Sequence, residues 1–193
     1  MSENAMTRTL FVVTYMGPFG FIKPWTAVRD GETYSQQFLT PSIVEGMRQK
    51  LEVSTILRHR LAHQGFSVQL ERIQSGGWNV NSRNKRMSRE RSILKRGVLL
   101  NPVLHLAFQT EEEALHAADQ HLCLCRNEDV VLPQEVTSLS KDAFDAIPGF
   151  ELLFGNDHAG AFLVGYNRFD EGRPMYGALT IVGNPTEVPP LER

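Results

Sequence analysis

The stretch FSVQLERIQSGGWNVNSRNKRMSRERSILKRGVLLNPVLHLAF, residues 66–108, decides the fold expected for this chain. Residues 66–73 alternate apolar and polar side chains, which is typical of a half-buried strand. Residues 98–100 and 103–108 predict a second strand, interrupted at Pro102. The segment between them is therefore predicted to be a long excursion that joins two paired strands.

Positive charge is concentrated in this excursion. The chain has a formal net charge of -2 and 20 Lys and Arg residues, yet seven of them lie within 14 positions and only Glu90 offsets them. Such a run is typical of a solvated loop or helix face, and it is equally typical of a local anion site that attracts phosphate. The seven cations are Arg83, Lys85, Arg86, Arg89, Arg91, Lys95 and Arg96.

The residues that precede this stretch predict a strand and then a helix. Residues 9–16 (TLFVVTYM) are apolar and rich in β-branched and aromatic side chains, which indicates a buried strand, and residues 17–20 indicate a turn or loop. The run TPS at residues 40–42 predicts a helix start, with Pro at the first helical position. We expect that helix to reach Gly65 and to pack on the sheet through Met47 and Leu51.

The residues that follow predict a second helix and a C-terminal hairpin. Glu residues at 111–113 favour a helix start, and residues 114–125 continue the helix. Residues 128–160 are predicted to be mostly acidic loop, whereas residues 161–166 and 175–182 predict two strands around a turn. The order strand, helix, strand, strand, helix, strand indicates an α+β, ferredoxin-like unit with an added C-terminal β-hairpin.

Composition predicts one domain over residues 7–193, with residues 74–97 as a basic insertion and residues 1–6 as a leader or tag. Hydrophobic residues make up 41% and charged residues 22%, which is ordinary for a soluble globular protein. No apolar run approaches the roughly 20 residues needed to cross a bilayer, so we expect a cytoplasmic protein that is not bound to a membrane. Cys123 and Cys125 are expected to be reduced.

Several enzyme classes are disfavoured by the motifs. The glycines lack the spacing and the Lys of a phosphate-binding loop, and no G-x-S-x-G is present. His59 and His63 stand four apart on the predicted helix, as zinc ligands do, but Arg60 between them would repel a cation. We therefore expect neither a metal nor a cofactor.

The basic excursion instead predicts an RNA partner. Single-stranded RNA offers phosphates to cations and bases to stacking groups, and Trp78 and the Arg planes are stacking candidates. Asn79, Asn81 and Asn84 add hydrogen-bond donors. The predicted RNA-binding residues are Trp78, Asn81, Arg83, Lys85, Arg86, Arg89, Arg91, Lys95 and Arg96.

Two further segments carry a family resemblance. ETYSQQFLTPSIVEGM at residues 32–47 and FLVGYNRFDEGRPMYGALTIVGNPTEVP at residues 162–189 resemble the helix start and the closing segment of the CRISPR-associated Cas-five family. This family belongs to the RAMP superfamily, and the likeness is closest to the type I-C branch.

The resemblance implies a modified ferredoxin-like (RRM-like, RAMP) fold that caps the foot of a surveillance complex. It also implies that a basic hairpin or thumb between the second and third strands grips the 5′ handle of the CRISPR RNA, and residues 76–97 occupy that position here. The implied neighbours are a backbone Cas-seven-type subunit and the large subunit, with target DNA met indirectly.

The type I-C branch also cuts precursor guide RNA without metal, using a Tyr at the end of the first helix and a later Lys-His pair. Here Glu52 stands at the Tyr position, and His116 keeps the His after Leu115, so Tyr34 would have to substitute. Three functions therefore stay open. They are a non-catalytic RNA-binding subunit, a metal-independent endoribonuclease that uses His116 with Tyr34 or a nearby Lys, and a protein-interaction module with a solvated basic loop.

Overall fold

Three helices and fourteen strands make up the described part of the chain, which in this computed structural model comprises residues 9–24, 31–73, 78–81, 83–89, 91–167 and 170–187. The expected leader at residues 1–6, residues 74–77, 82 and 90 of the expected insertion, and residues 168–169 and 188–189 of the closing segment lie outside the described residues. The helices are α1 (Pro41–Leu51), α2 (Glu111–Ala118) and α3 (Lys141–Asp145). The strands are β1 (Leu10–Met16), β2 (Phe19–Gly20), β3 (Glu32–Tyr34), β4 (Arg58–Ala62), β5 (Phe66–Ile73), β6 (Trp78–Asn81), β7 (Arg86–Arg89), β8 (Ser92–Leu100), β9 (Val103–Phe108), β10 (Leu122–Cys123), β11 (Val130–Leu139), β12 (Gly149–Phe154), β13 (Phe162–Asn167) and β14 (Arg173–Val182).

The fold is mixed α+β, as predicted, and its sheets are mostly antiparallel. The largest sheet has the strand order β10-β11-β1-β9-β4-β12-β14-β13, and every neighbouring pair in it is antiparallel. A second sheet is built around β8, with β5 along one side and β2 and β3 along the other. Strands β6 and β7 form a separate two-stranded sheet.

Strand β1 lies in the interior of the large sheet, which confirms the strand predicted at residues 9–16. Val12, Val13 and Tyr15 are buried along it. The Tyr15 hydroxyl donates a hydrogen bond of 2.7 Å to the backbone carbonyl of Ala117, so it ties α2 to the sheet. The predicted turn at residues 17–20 contains the short strand β2, whose Phe19 pairs with Leu100.

Helix α1 begins where the sequence predicts but ends much earlier. Thr40 is its N-cap and Pro41 its first residue, although the Thr40 side chain makes no capping hydrogen bond. Met47 and Leu51 are buried, as expected. The predicted extension to Gly65 is wrong, because the left-handed backbone of Glu52 (φ 56°) ends the helix.

The residues expected to finish that helix form β4 instead. Leu61 is fully buried, opposite Leu104 of β9 and Phe150 of β12. Strand pairing on both sides therefore overrides the helical spacing of the apolar residues. His59 and His63 consequently do not share a helix face.

Two further boundaries differ from the expectation. Helix α2 ends at Ala118 rather than Cys125, and Leu122 and Cys123 pair with β11. Strands β8 and β9 are not one strand interrupted at Pro102 but belong to different sheets. The backbone of Asn101 between them is left-handed, with φ 43°, which lets the chain turn from one sheet into the other.

The predicted loop at residues 128–160 is also wrong, since it holds β11, α3 and β12. Strand β11 pairs with β1 from Leu10↔Leu139 to Met16↔Leu132, and the register shifts between Thr14 and Tyr15, where Pro133 pairs with Tyr15. A Pro, a bulge and three exposed polar residues (Gln134, Glu135 and Ser138) break the apolar period of this strand. The predicted C-terminal hairpin is confirmed as β13 and β14. Within the described residues, no helix has both the length and the apolar character to cross a membrane.

Candidate nucleic-acid interface

The basic segment extends from a long antiparallel hairpin. Strands β5 and β8 pair without interruption from Phe66↔Leu99 to Ile73↔Ser92, which confirms that the segment connects two paired strands. Strands β6 and β7 follow, paired from Trp78↔Arg89 to Asn81↔Arg86. We call residues 78–81 and 83–89 the hairpin tip.

The hairpin tip has two chemically different faces. Because opposite residues in an antiparallel pair point to the same side, Trp78, Val80, Met87 and Arg89 share one face. The Arg89 guanidinium lies 4.9 Å from the centre of the Trp78 ring, and the Trp78 side chain is 57% exposed. The other face carries Asn79, Asn81, Arg86 and Ser88, so it is entirely polar.

Exposed cations lie on the hairpin tip and next to it. Arg83, Lys85, Arg86 and Arg91 are all exposed, and none of these four forms an ion pair with another described residue. Lys85 has a left-handed backbone, φ 52°, at the turn between β6 and β7. The turn therefore presents its positive charges to solvent.

Asn81 has a structural contact in addition to its predicted role. Its side-chain oxygen accepts hydrogen bonds from the backbone N–H groups of Arg83 at 3.1 Å and Asn84 at 3.4 Å. These bonds close the turn in the manner of an Asx turn. The side-chain oxygen of Asn81 is thus engaged within the turn.

Lys95 and Arg96 lie away from the tip, on β8. Arg96 forms an ion pair with Glu71, and its guanidinium lies 4.6 Å from the centre of the Phe21 ring. Its charge is therefore compensated within the chain. Lys95 is exposed and pairs across the strands with Leu70. The nine predicted RNA-binding residues thus fall into one group of seven along residues 78–91 and a second pair nearer the body of the protein.

The expectation that β5 is half-buried through its apolar residues is wrong. Its apolar residues Phe66, Val68 and Leu70 are exposed, whereas the polar residues Ser67 and Gln69 are partly buried. The strand was identified correctly, but its apolar side faces outward.

The two candidate catalytic residues are not brought together. Tyr34 lies on β3, which pairs with β8, whereas His116 lies exposed on α2, which packs against β1, β9 and β11. The Tyr34 hydroxyl donates a 2.9 Å hydrogen bond to Glu32, and this bond raises the pKa of Tyr34. A phenol held in its neutral form is a poor general base.

The central histidines have structural contacts. His59 is buried against Phe154, its Nε2 accepts a 3.4 Å hydrogen bond from the Leu152 backbone N–H, and burial lowers its pKa to about 4. His63 Nε2 lies 3.0 Å from the Gln37 side-chain oxygen. No cluster of three or more potential metal ligands occurs among the residues that the structure describes.

A buried ionic cluster was missed by the sequence reasoning. Glu151 on β12 accepts hydrogen bonds from Arg58 at 2.6 Å and from Arg60 at 3.0 Å, and both arginines lie on β4. Arg58 also reaches Asp145 at 2.8 Å, and its guanidinium lies 5.0 Å from the centre of the Phe144 ring. The sequence signal for this cluster is Glu151, a charged residue inside the apolar run GFELLF. The cluster joins β4 to β12 and α3.

The comparison with solved structures identifies a similar fold. A chain described as "CRISPR RNA-guided surveillance complex" superposes with a TM-score of 0.50 at 16% sequence identity, covering 94% of this chain and 91% of that chain. No family model matches the sequence, and no curated protein matches it. The likeness therefore consists of a shared fold over nearly the whole of both chains.

Proposed function

We propose that this chain is an RNA-binding subunit of a CRISPR RNA-guided surveillance complex, where it caps the complex and grips the 5′ handle of the guide RNA. The observation that carries this proposal is the hairpin tip, which presents exposed cations beside an exposed Trp. The tip projects from a fold shared with a chain of such a complex.

The topology supports the finer assignment to a ferredoxin-like, RAMP-type domain over residues 7–193. Helix α1 lies between β1 and β4 in the chain, and α2 lies between β9 and β11. The sheet order β11-β1-β9-β4 places the fourth, first, third and second strands of such a unit side by side. The long hairpin leaves the unit between its second and third strands, the position of the thumb that the family resemblance implies.

The chemistry of the tip suits a single RNA strand. Arg83, Lys85 and Arg86 would neutralise phosphates, and the Trp78 ring would stack on a base. Asn79 and Ser88 on the polar face would supply hydrogen bonds to base edges or to 2′-hydroxyls. A duplex is more often read by a helix placed in its major groove, and the tip has strands instead.

The partners follow from the same proposal. The guide RNA would contact the hairpin tip, while a backbone Cas-seven-type subunit and a large subunit would contact other surfaces. Target DNA would be met through its pairing with the guide. Tyr34 and His116 lie on separate elements, so we propose a non-catalytic role for this chain.

A competition experiment tests this function. A labelled CRISPR repeat RNA is bound to the protein and is competed with three unlabelled nucleic acids of equal length: the same RNA, an RNA with a scrambled 5′ handle and a DNA duplex. We expect the authentic handle to compete at least about tenfold better than the other two. Equal competition by all three would contradict recognition of the handle.

A further inference from the structure

Strand β5 exposes the side chains that a sheet normally buries. Val68 is 50% exposed and Leu70 is 68% exposed. Ile93 lies on β8 opposite Arg72 of β5, and it is 60% exposed. Phe66, Val68, Leu70 and Ile93 point to the same side of the hairpin because residues two apart and opposite partners share a face. We call these four residues the apolar strip.

The main chain of β5 is also open on one side. Among the described residues β5 pairs with β8 alone, so its second edge is unpaired over eight residues. Such an edge presents a row of N–H and C=O groups, and native proteins usually shorten, charge or cover it. Here a long edge coincides with a continuous row of exposed apolar side chains.

The strip is chemically different from the hairpin tip. Three of its four residues, Val68, Leu70 and Ile93, are aliphatic and have no ring on which a base could stack, and nucleic acids are bound mainly through phosphates and base faces. The fourth, Phe66, has its ring in edge contact with the rings of Tyr34 and His63. An extended protein segment would match both the unpaired edge of β5 and its exposed apolar strip. Its main chain pairs with the strand edge, and every second side chain covers the strip.

The charged residues beside the apolar strip indicate the charge expected on the partner segment. Arg72 and Lys95 point to the same side as the strip, and neither forms an ion pair with a described residue. Glu32 is also on this side, but it lies across β8 from the edge and accepts the Tyr34 hydrogen bond. The end of the apolar strip near Arg72 and Lys95 therefore carries a net positive charge.

We propose that β5 receives an added β-strand from a partner protein, and that this strand alternates apolar with polar residues and places a carboxylate beside Arg72. Its apolar side chains would lie next to Phe66, Val68 and Leu70. This inference goes beyond the proposed function and does not rest on RNA binding. It assigns the body of the hairpin to a protein neighbour and leaves the tip for nucleic acid.

The test uses a display library of random twelve-residue peptides selected on the purified full chain. We expect selected peptides to alternate apolar residues at every second position and to carry an acidic residue near one end. Their affinity should fall about tenfold or more for the Val68→Thr/Leu70→Thr double variant, because the apolar cover is lost. It should be unchanged for Ile181→Thr, which alters a similarly exposed aliphatic residue on β14.

A control with N-methylated peptides distinguishes main-chain pairing with β5 from binding through apolar side chains alone. The best peptide is resynthesised with N-methyl groups on every second amide, which removes donors along one edge and leaves the side chains unchanged. Methylation on the edge that faces β5 should abolish binding, and amide protection from hydrogen exchange in β5 should rise only with the unmodified peptide.

The proposal is overturned if selection yields no alternating peptides, if the methylated peptides bind equally well, or if the double variant binds peptides like the wild type. A repeat-RNA titration with the same double variant forms a separate arm. Lost RNA affinity in that variant would assign the strip to nucleic acid and would also overturn the proposal. Wild-type protein that binds peptide but no RNA would refute the proposed function alone.

Discussion

Trp78 and Arg89 face each other across the β6–β7 hairpin, with the guanidinium 4.9 Å from the centre of the indole ring. The pair holds a flat aromatic surface and a positive charge on the same exposed face. Because the guanidinium lies over one face of the Trp78 ring, a base of the proposed RNA partner would stack on the opposite face. The contact thus places a cation and an exposed aromatic ring side by side on the hairpin tip.

Replacing Trp78 by Ala should weaken repeat-RNA binding by about 1–3 kcal/mol, because one stacking contact is lost. The dependence of affinity on salt should stay unchanged, since no cation is removed. Fluorescence anisotropy at several salt concentrations measures both quantities. Val80→Ala is the matched control on the same face and should bind like the wild type; an equal loss in both variants would argue against stacking.

Glu151→Gln should lower the free energy of unfolding by about 3–5 kcal/mol, because it leaves the buried Arg60 without its carboxylate. Asp145→Asn should cost less than about 1 kcal/mol, since Asp145 is partly exposed and its pair with Arg58 is solvent-screened. Urea denaturation followed by circular dichroism compares the two variants. Similar losses in both would mean that Glu151 does not anchor the cluster.

Stability should decrease as the pH falls from 7 to 5. Burial lowers the pKa of both His59 and His105 to about 4, below the ordinary 6.5, so between these values the unfolded chain binds more protons than the folded chain. The stabilisation is complete above pH 6.5 and is lost as the pH falls towards 4. Each histidine should contribute about 2 kcal/mol to the loss between pH 7 and pH 5.

His59→Gln separates this titration from that of the carboxylates. Gln does not titrate and still offers an acceptor to the Leu152 backbone N–H. The variant should therefore lose about 2 kcal/mol less than the wild type over the same pH range. A pH profile parallel to that of the wild type would show that His59 is not the group responsible.

The purified chain should leave repeat RNA intact in EDTA. The Tyr34 hydroxyl donates a hydrogen bond to Glu32, and His116 lies on a helix that packs against other strands, so these two groups do not flank a common site. Denaturing gel electrophoresis after long incubation checks this expectation. Site-specific cleavage that disappears in His116→Ala would instead establish the endoribonuclease alternative.

The strongest local signals in the sequence predicted the parts of the fold that depend on neighbouring residues alone. Residues 66–71 alternate apolar and polar side chains at the start of β5, and the Thr-Pro-Ser run starts α1. The connection between two paired strands was also predicted from its charge and length, but β8 begins at Ser92, so residues 92–97 belong to the strand and not to the excursion. Within the candidate site, the cluster of cations along residues 83–91 could be predicted from the sequence.

The remaining features depend on distant contacts. Strand β4 has apolar spacing that fits a helix, and only its pairing with β9 and β12 makes it a strand. Strand β11 carries Pro133 and a register shift, so its period is broken. The exposure of the apolar side of β5 could not be predicted either. Alternation predicts that a strand has two different faces, but it does not determine which face the rest of the molecule covers.

The most direct test of the central claim is the salt dependence of repeat-RNA affinity for the wild type and for a variant with Arg83, Lys85, Arg86 and Arg89 changed to Glu. If these four cations contact four phosphates, log affinity should fall against log salt with a slope of about -2.8 in the wild type, because about 0.7 counterions are released per phosphate. The quadruple variant should keep its fold and lose both the affinity and the slope, whereas Lys141→Glu on α3 should match the wild type. Equal affinities and equal slopes for the wild type and the quadruple variant would contradict the account.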